Sequence, residues 1–334
     1  MSRILPPRLR KGDTIGIFSP STPASTWVPE RTRLTLAFME EQGYRIKPGA
    51  LFGHKENYRS GSIRERADEL NALIADPEVT CIMAVSGGFV SNSILPYIDY
   101  AALLKHPKII VGYSDVTAVL LAVYAKTGLT TFYGPNLIST FGEKPPFSIE
   151  SLRYFEDIVC GKHSLPYVFP TPAIWTEDSI GIEEDLTYTT YPNKLLTLRD
   201  GQVSGRIIGG NLNTMLGFFG TPYMPEIHDG DILYLEDCRQ YPESIERSFS
   251  LLENAGVFAR IGGLILGKHA DYNSYGSELK SWEVPMELLG KYAFPILAEF
   301  DCSHTRPMLT LPIGAEVCLD ASEKTVTLLE AAVM

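Results

Sequence analysis

The sequence predicts an α/β protein, with a doubly wound parallel sheet in its N-terminal part and a strand-rich α+β domain after it. Three observations predict this. Short β-rich apolar runs alternate with helical stretches through the first half, the alternation breaks over an acidic segment punctuated by prolines, and strands dominate beyond it. The 334 residues exceed what one hydrophobic core usually spans, so two domains are expected. An apolar content of 45% and a charged content of 21% are ordinary for a folded globular chain.

Residues 14–19 form a short apolar run that ends in Pro20, Ser21 and Pro23, which reads as a strand entering a loop. Pro29 opens a helix whose Leu34, Ala37 and Phe38 recur at helical spacing, with Gly43 as its stop. Ser62 and Glu65 have the spacing of a capping box, and Ile63, Ala67, Leu70 and Ile74 share one face of the helix it opens. Residues 79–85 are a strand leading into Ser86-Gly87-Gly88. Residues 108–113 are a buried strand that runs through Ser114 into the apolar stretch 115–121, read as a central helix. In doubly wound sheets ligands gather at the carboxyl ends of the strands, and both Gly87-Gly88 and Ser114 fall at such ends.

From about 163 to 193 the pattern fails. Pro166, Pro170, Pro172 and Pro192 interrupt a stretch with acidic clusters at Glu177-Asp178 and Glu183-Glu184-Asp185. It reads as an interdomain crossing, part of it a loop over the active site. The expected division is a domain over 1–165, a linker and active-site loop over 166–200, and a second domain over 201–334. The second domain is expected to carry its own core, with strands at 203–208, 231–235, 263–266, 296–300, 316–319 and 326–329. Helices are expected at 212–218, 243–253 and 285–292.

The net charge of −11 argues against a nucleic-acid partner, which needs a basic surface. Five scattered cysteines without CxxC spacing suit a reducing compartment. The first residues lack the apolar run of a signal peptide, and no stretch approaches about 18 consecutive apolar residues. The expectation is a cytoplasmic protein with no membrane partner.

Ser114 carries the sharpest chemical signal. A serine between a buried strand and a helix sits on a tight turn, its hydroxyl clear of the sheet and the helix dipole behind it. Gly112 suits that turn, although Val116 stands where G-x-S-x-G has its second glycine. The other reading is a helix cap. The amides of Gly88 and Asp115 are candidate oxyanion donors, against an ordinary turn at Gly87-Gly88. A serine needs a base. Of six histidines, His269 and His304 both follow strands, and spacing does not choose between them. Glu236 ends a strand where it could orient such a base, with Asp237 beside it as competitor. Neither HExxH nor histidines three or four residues apart occur, and no phosphate-binding glycine fingerprint is present.

These residues resemble the motifs of the LD-carboxypeptidase (S66) serine peptidases. Val111-Gly112-Tyr113-Ser114-Asp115 is similar to the family's nucleophile motif. Leu233-Tyr234-Leu235-Glu236-Asp237 is similar to the segment of its catalytic glutamate, and Phe300-Asp301-Cys302-Ser303-His304 to that of its histidine. The resemblance implies a flavodoxin- or class I amidotransferase-like nucleophile domain and a second domain supplying glutamate and histidine. It implies a triad of Ser114, Glu236 and His304, an oxyanion hole from the Gly88 and Asp115 amides, no metal or organic cofactor, and a homodimer. The expected activity is hydrolysis of an amide in small peptides, as on muropeptides. The run from Gly87 to Asp99 and Gly267-Lys268-His269 resemble the microcin C immunity branch, which hydrolyses aminoacyl or peptidyl nucleotides. That branch has a loop tryptophan on the nucleobase and a glutamate after Gly-Lys-His. Here the loop reads Ser179-Ile180-Gly181-Ile182-Glu183 and Ala270 follows His269. Gly87, Ser91, Asn92, Trp175 and His269 are the candidate substrate contacts, Trp175 as the replacement for the missing tryptophan. A ligand-binding protein without catalysis is the reading from a different class.

Overall fold

A computed structural model describes residues 3–334; residues 1 and 2 of the stretch read for a signal peptide lie outside it. The N-terminal half alternates as the sequence predicts. Strands β1 (Thr14–Phe18), β2 (Arg45–Pro48), β3 (Val79–Ala84), β4 (Ile109–Gly112) and β5 (Thr131–Tyr133) pair in parallel in the order β2-β1-β3-β4-β5. Every residue of β1 and β4 is buried, as a sheet covered on both faces requires.

The helices are α1 (Ala24–Trp27), α2 (Pro29–Glu41), α3 (Ile63–Ala75), α4 (Tyr100–Lys105), α5 (Thr117–Thr127) and α6 (Phe147–Val159). Pro29 occupies the first turn of α2, where its missing N–H costs nothing. The capping box of α3 is made: Ser62 Oγ accepts from the Glu65 amide at 3.3 Å, and Glu65 accepts from the Ser62 amide at 2.9 Å. Ala67, Leu70 and Ile74 are buried on its inner face, whereas Ile63, at the very start, remains at the rim. α5 is the central helix, buried from Thr117 through Val123 and closed by Gly128 at φ +74°.

The segment after α6 is irregular but not unstructured. β6 (Tyr167–Val168) joins the second sheet, and β7 (Ile174–Trp175) pairs antiparallel with β8 (Tyr191–Pro192). Two-residue strands carry no readable periodicity, so the sequence did not announce them. Beyond them run β9 (Leu196–Arg199), β10 (Gln202–Asn211), α7 (Leu212–Leu216), β11 (Ile232–Glu236), α8 (Pro242–Asn254), β12 (Gly263–Gly267), α9 (Met286–Leu289) and β13 (Ile296–Phe300). The last strands are β14 (Leu311–Ile313), β15 (Glu316–Asp320) and β16 (Thr325–Leu328). The second sheet has the order β6-β16-β15-β10-β11-β12-β13-β9, parallel from β10 to β13 and antiparallel at its flanks.

Two features depart from expectation. β14 leaves the second sheet and pairs antiparallel with β5, making a sixth strand of the first. The buried apolar side chains of both sheets also form one contiguous cluster, so the second sheet has no separate core. The carboxyl ends of β3, β4 and β11 therefore meet across a common seam.

Candidate active site

The seam opens into a cleft of about 750 Å³ whose walls include Gly87, Gly88, Tyr113, Ser114, Asp237 and His304. Glu177, Asp178 and Ser179, from the irregular segment, also line it.

At the end of β4 the chain turns through Ser114 at φ +64°, then makes a 3-10 turn over Ser114–Val116 into α5. Left-handed backbone at a non-glycine residue is strained, and such strain gathers at reactive sites. No side chain caps this helix start, so the capping alternative does not describe Ser114. Two glycines make the turn possible. A Cβ on Gly87 would stand 2.8 Å from Ser114 Cβ, and one on Gly112 would stand 2.7 Å from Val116 Cγ1. Val116 thus fills the place of the second glycine while Gly112 yields the space.

The loop after β3 is pinned from two sides. Ser21 Oγ accepts from the amides of Phe89 and Val90 at 3.0 and 3.1 Å. Asp115 Oδ2 accepts from the amides of Val90 and Ser91 at 2.9 and 3.0 Å. Burial pushes the Asp115 carboxyl upward against these hydrogen bonds. The pinning holds a loop whose Gly87 lies against Ser114 and whose Gly88 lines the same cleft. Among the described residues no protein acceptor takes the amide of Gly88 or of Asp115.

Glu236 ends β11, buried to 3% exposure. Its Oε2 meets His304 Nδ1 at 2.7 Å, and its Oε1 accepts from Tyr133 Oη at 2.5 Å and Asn211 Nδ2 at 3.0 Å. Burial alone would raise its pKa, but the charge of His304 and these hydrogen bonds together hold it below the usual carboxylate value. Burial alone would likewise depress His304, yet the facing Glu236 carboxylate lifts it well above the ordinary histidine value. With Glu236 ionised, Nδ1 is the protonated nitrogen, which leaves Nε2 to exchange a proton on the cleft side. The Tyr113 ring meets the imidazole edge-on at 4.9 Å.

Asp237 does not compete for the imidazole. Its carboxylate accepts from the Asn213 and Cys238 amides at 3.1 and 2.9 Å, and burial with the repulsion of Glu236 pushes it up to about 7. His269 is also set apart. It lines a smaller cavity with Trp282 and Phe249, its Nε2 accepts from the Gln240 amide at 3.2 Å, and burial lowers it to about 4.

Of the candidate substrate contacts, Gly87 lines the cleft. Ser91 is buried beneath the loop and bonds to Asp115, and Asn92 donates to the Gly217 carbonyl at 3.1 Å. Trp175 packs 5.1 Å from the Tyr191 ring, with Lys268 Nζ 5.5 Å from its own ring centre. The cleft's exposed aromatics are instead Trp27, 53% exposed, and Phe89, 83% exposed. Sequence reasoning passed over both, and it passed over Tyr133 and Asn211. The available signal was position: Tyr133 and Asn211 end strands of the two sheets on the same side as Ser114 and Glu236.

A strained serine at a strand end and a buried glutamate–histidine pair on one cleft define a serine-type hydrolase of the peptidase class. The chain belongs to the LD-carboxypeptidase family, whose N-terminal domain matches residues 15–134 and whose C-terminal domain matches residues 204–319. A Vibrio cholerae protein named as a carboxypeptidase is 48% identical, over 94% of each chain. The microcin C7 self-immunity protein MccF of Escherichia coli is 45% identical over 96% of this chain and 94% of its own. A solved structure of MccF in complex with glutamyl sulfamoyl guanosine matches with a TM-score of 0.96 at 43% identity, covering 99% of each chain. Among the described residues no helix is long and apolar enough to cross a membrane.

Proposed function

We propose that the protein is a serine amidase of the microcin immunity type, releasing an aminoacyl or peptidyl group from a nucleotide-like leaving group. The contact that carries the mechanism is His304 Nδ1 to Glu236 Oε2 at 2.7 Å, on a cleft shared with Ser114. Ser114 Oγ attacks the acyl carbon while His304 Nε2 takes its proton, and the Gly88 and Asp115 amides receive the oxyanion. His304 then protonates the leaving nitrogen, and water repeats the sequence on the acyl-enzyme. Glu236 keeps the imidazole in the required tautomer and stabilises its charged form.

The substrate reading is supported by the likeness to MccF over nearly the whole chain and by a cleft roomy enough for a nucleoside. Trp27 and Phe89 offer it exposed aromatic faces. A second reading, LD-carboxypeptidase action on muropeptides, is favoured by Ser179–Glu183 lacking a tryptophan and by Ala270 after His269. Mass spectrometry of the protein with an aminoacyl sulfamoyl adenosine and with a muropeptide tetrapeptide, each beside Ser114→Ala, separates them. Release of sulfamoyl adenosine supports the first and loss of D-alanine the second. Turnover by Ser114→Ala would remove Ser114 as nucleophile.

A further inference from the structure

We propose that Tyr133, Thr117 and Asn211 form, with Glu236, a buried ring of hydrogen bonds that begins and ends on the backbone of Ser114, and that this ring is the device positioning nucleophile and orienting carboxylate against each other. The inference rests on the triad reading above and concerns residues outside it.

The ring can be followed donor by donor. The Ser114 amide donates to Tyr133 Oη at 3.1 Å, and that hydroxyl donates to Glu236 Oε1 at 2.5 Å. Asn211 Nδ2 donates to the same Oε1 at 3.0 Å. The Asn211 amide donates to Thr117 Oγ1 at 3.1 Å, and the Thr117 hydroxyl donates to the Ser114 carbonyl at 2.6 Å. Every hydroxyl proton is used once and each hydroxyl oxygen receives one further donor, so the circuit closes without a conflict. Tyr133 and Thr117 have no exposure, and Asn211 has 4%.

The two arms cross between the sheets. Tyr133 ends β5 of the first sheet and Asn211 ends β10 of the second, while Thr117 opens α5 behind the nucleophile. Their approach needs a residue without a side chain at 210. A Cβ on Gly210 would stand 2.7 Å from Thr117 Cγ2 and 3.2 Å from Tyr133 Cε2.

Three consequences follow. Both peptide groups flanking the strained φ of Ser114 are held by side chains, in a buried place where an unpartnered polar group is costly. The Ser114 amide is also spent on Tyr133, so the oxyanion falls to the amides of Gly88 and Asp115. Because the hydroxyl of Tyr133 is committed as donor, Oε1 must remain an acceptor, and Oε2 is left facing His304.

The test compares Tyr133→Phe, Thr117→Val and the double variant with the parent and with Ser114→Ala, on whichever probe the parent cleaves, aminoacyl sulfamoyl adenosine or muropeptide tetrapeptide. Thermal unfolding is followed in parallel, and kcat is compared only for variants that remain folded at the assay temperature. Each single variant is expected to lose about 10- to 100-fold in kcat with KM within about twofold. The double variant is expected to lose little more than the worse single one, because a broken ring cannot be broken again. Tyr133→Phe removes a donor from Glu236, leaving more negative charge toward His304, so the acid limb of kcat/KM moves to higher pH. Thr117→Val leaves both donors on Glu236 and the limb in place. Multiplicative losses in the double variant, or parental kcat and pH limb in Tyr133→Phe, would overturn the ring while an inactive Ser114→Ala keeps the nucleophile. Activity in Ser114→Ala would overturn the triad reading itself.

Discussion

Replacing Glu236 by glutamine keeps the side chain's shape but turns one acceptor oxygen into a donor. The two oxygens of Glu236 are not equivalent: Oε1 receives Tyr133 Oη and Asn211 Nδ2, and Oε2 faces His304 Nδ1. If the new amide nitrogen takes the Oε1 position it meets two donors in a site only 3% exposed. Two unsatisfied buried groups would cost about 1–3 kcal/mol each. Asn211 cannot relieve this by turning over, because its Oδ1 already accepts from the Thr214 amide and hydroxyl, both at 2.9 Å. The nitrogen therefore settles opposite His304, Nδ1 becomes the acceptor, and the ring proton moves to Nε2. An imidazole in that tautomer has no lone pair for the Ser114 proton. The expected loss in kcat for Glu236→Gln is about 10⁴-fold, the scale of the corresponding change in other serine triads, or about 5 kcal/mol of activation free energy. The assay is single-turnover hydrolysis beside 15N NMR of the imidazole, which should move from Nδ1–H to Nε2–H with the fold unchanged. A variant within about tenfold of the parent, or one retaining Nδ1–H, would refute the reasoning.

Gly87→Ala places a Cβ 2.8 Å from Ser114 Cβ and 3.4 Å from the Asp115 amide nitrogen, so the turn must shift: kcat should fall by about 100-fold and the unfolding midpoint should drop with it. Lys268 and Asp301 form an ion pair of 2.6 Å with both side chains 1% exposed. Lys268→Met should cost about 3–5 kcal/mol in urea unfolding by stranding the carboxylate, and Lys268→Met with Asp301→Leu should recover most of it. His304 has a raised folded-state pKa, so its contribution to stability is full below about 6.5 and lost as pH climbs through the folded value. Asp237 and Glu69, both pushed to about 7 by burial, act with the same sign, since their neutral buried forms are lost as pH approaches 7. The base must be neutral to accept a proton, so kcat/KM should rise, and the unfolding midpoint fall, as pH climbs above the ordinary histidine value through the raised folded-state pKa of His304. Parallel titration of both would expose a wrong sign in either.

Local signals were legible and tertiary ones were not. Ser62 with Glu65 announced a capping box, and the buried run ending at Gly112 placed Ser114 at a strand–helix junction, because both depend on neighbours a few residues away. His269 and His304 could not be separated by spacing because each follows a strand. What separates them is their surroundings: His304 meets Glu236, and His269 turns into the smaller cavity behind it. Tyr133, Thr117 and Asn211 look like ordinary strand and helix residues. Their role exists only because Gly210 lets two sheets approach. Trp175 attracted attention as an aromatic in an irregular segment, and the same irregularity conceals the strand pair that packs it on Tyr191. β14 could not be assigned to a sheet from three residues, one of them Pro312.

On the proposed mechanism, the placement of β14 lets the histidine serve a nucleophile on another sheet. Upstream of His304 the chain is fixed in the second sheet through β13, and downstream it is fixed in the first by pairing Leu311 with Tyr133. The stretch between is therefore strung across the seam, with its ends tied to the elements that hold Glu236 and Ser114. It is tied along its length as well. Asp301 takes Lys268 and Asn193, Cys302 Sγ lies 3.4 Å from the Tyr133 carbonyl, and Arg306 pairs with Glu143 at 3.0 Å while bonding the His304 carbonyl. A base carried on a loop belonging to one sheet would shift against the serine with every small motion between the sheets. A base suspended from both must follow their average, and the Ser114–Tyr133–Glu236 link limits how far that average can drift.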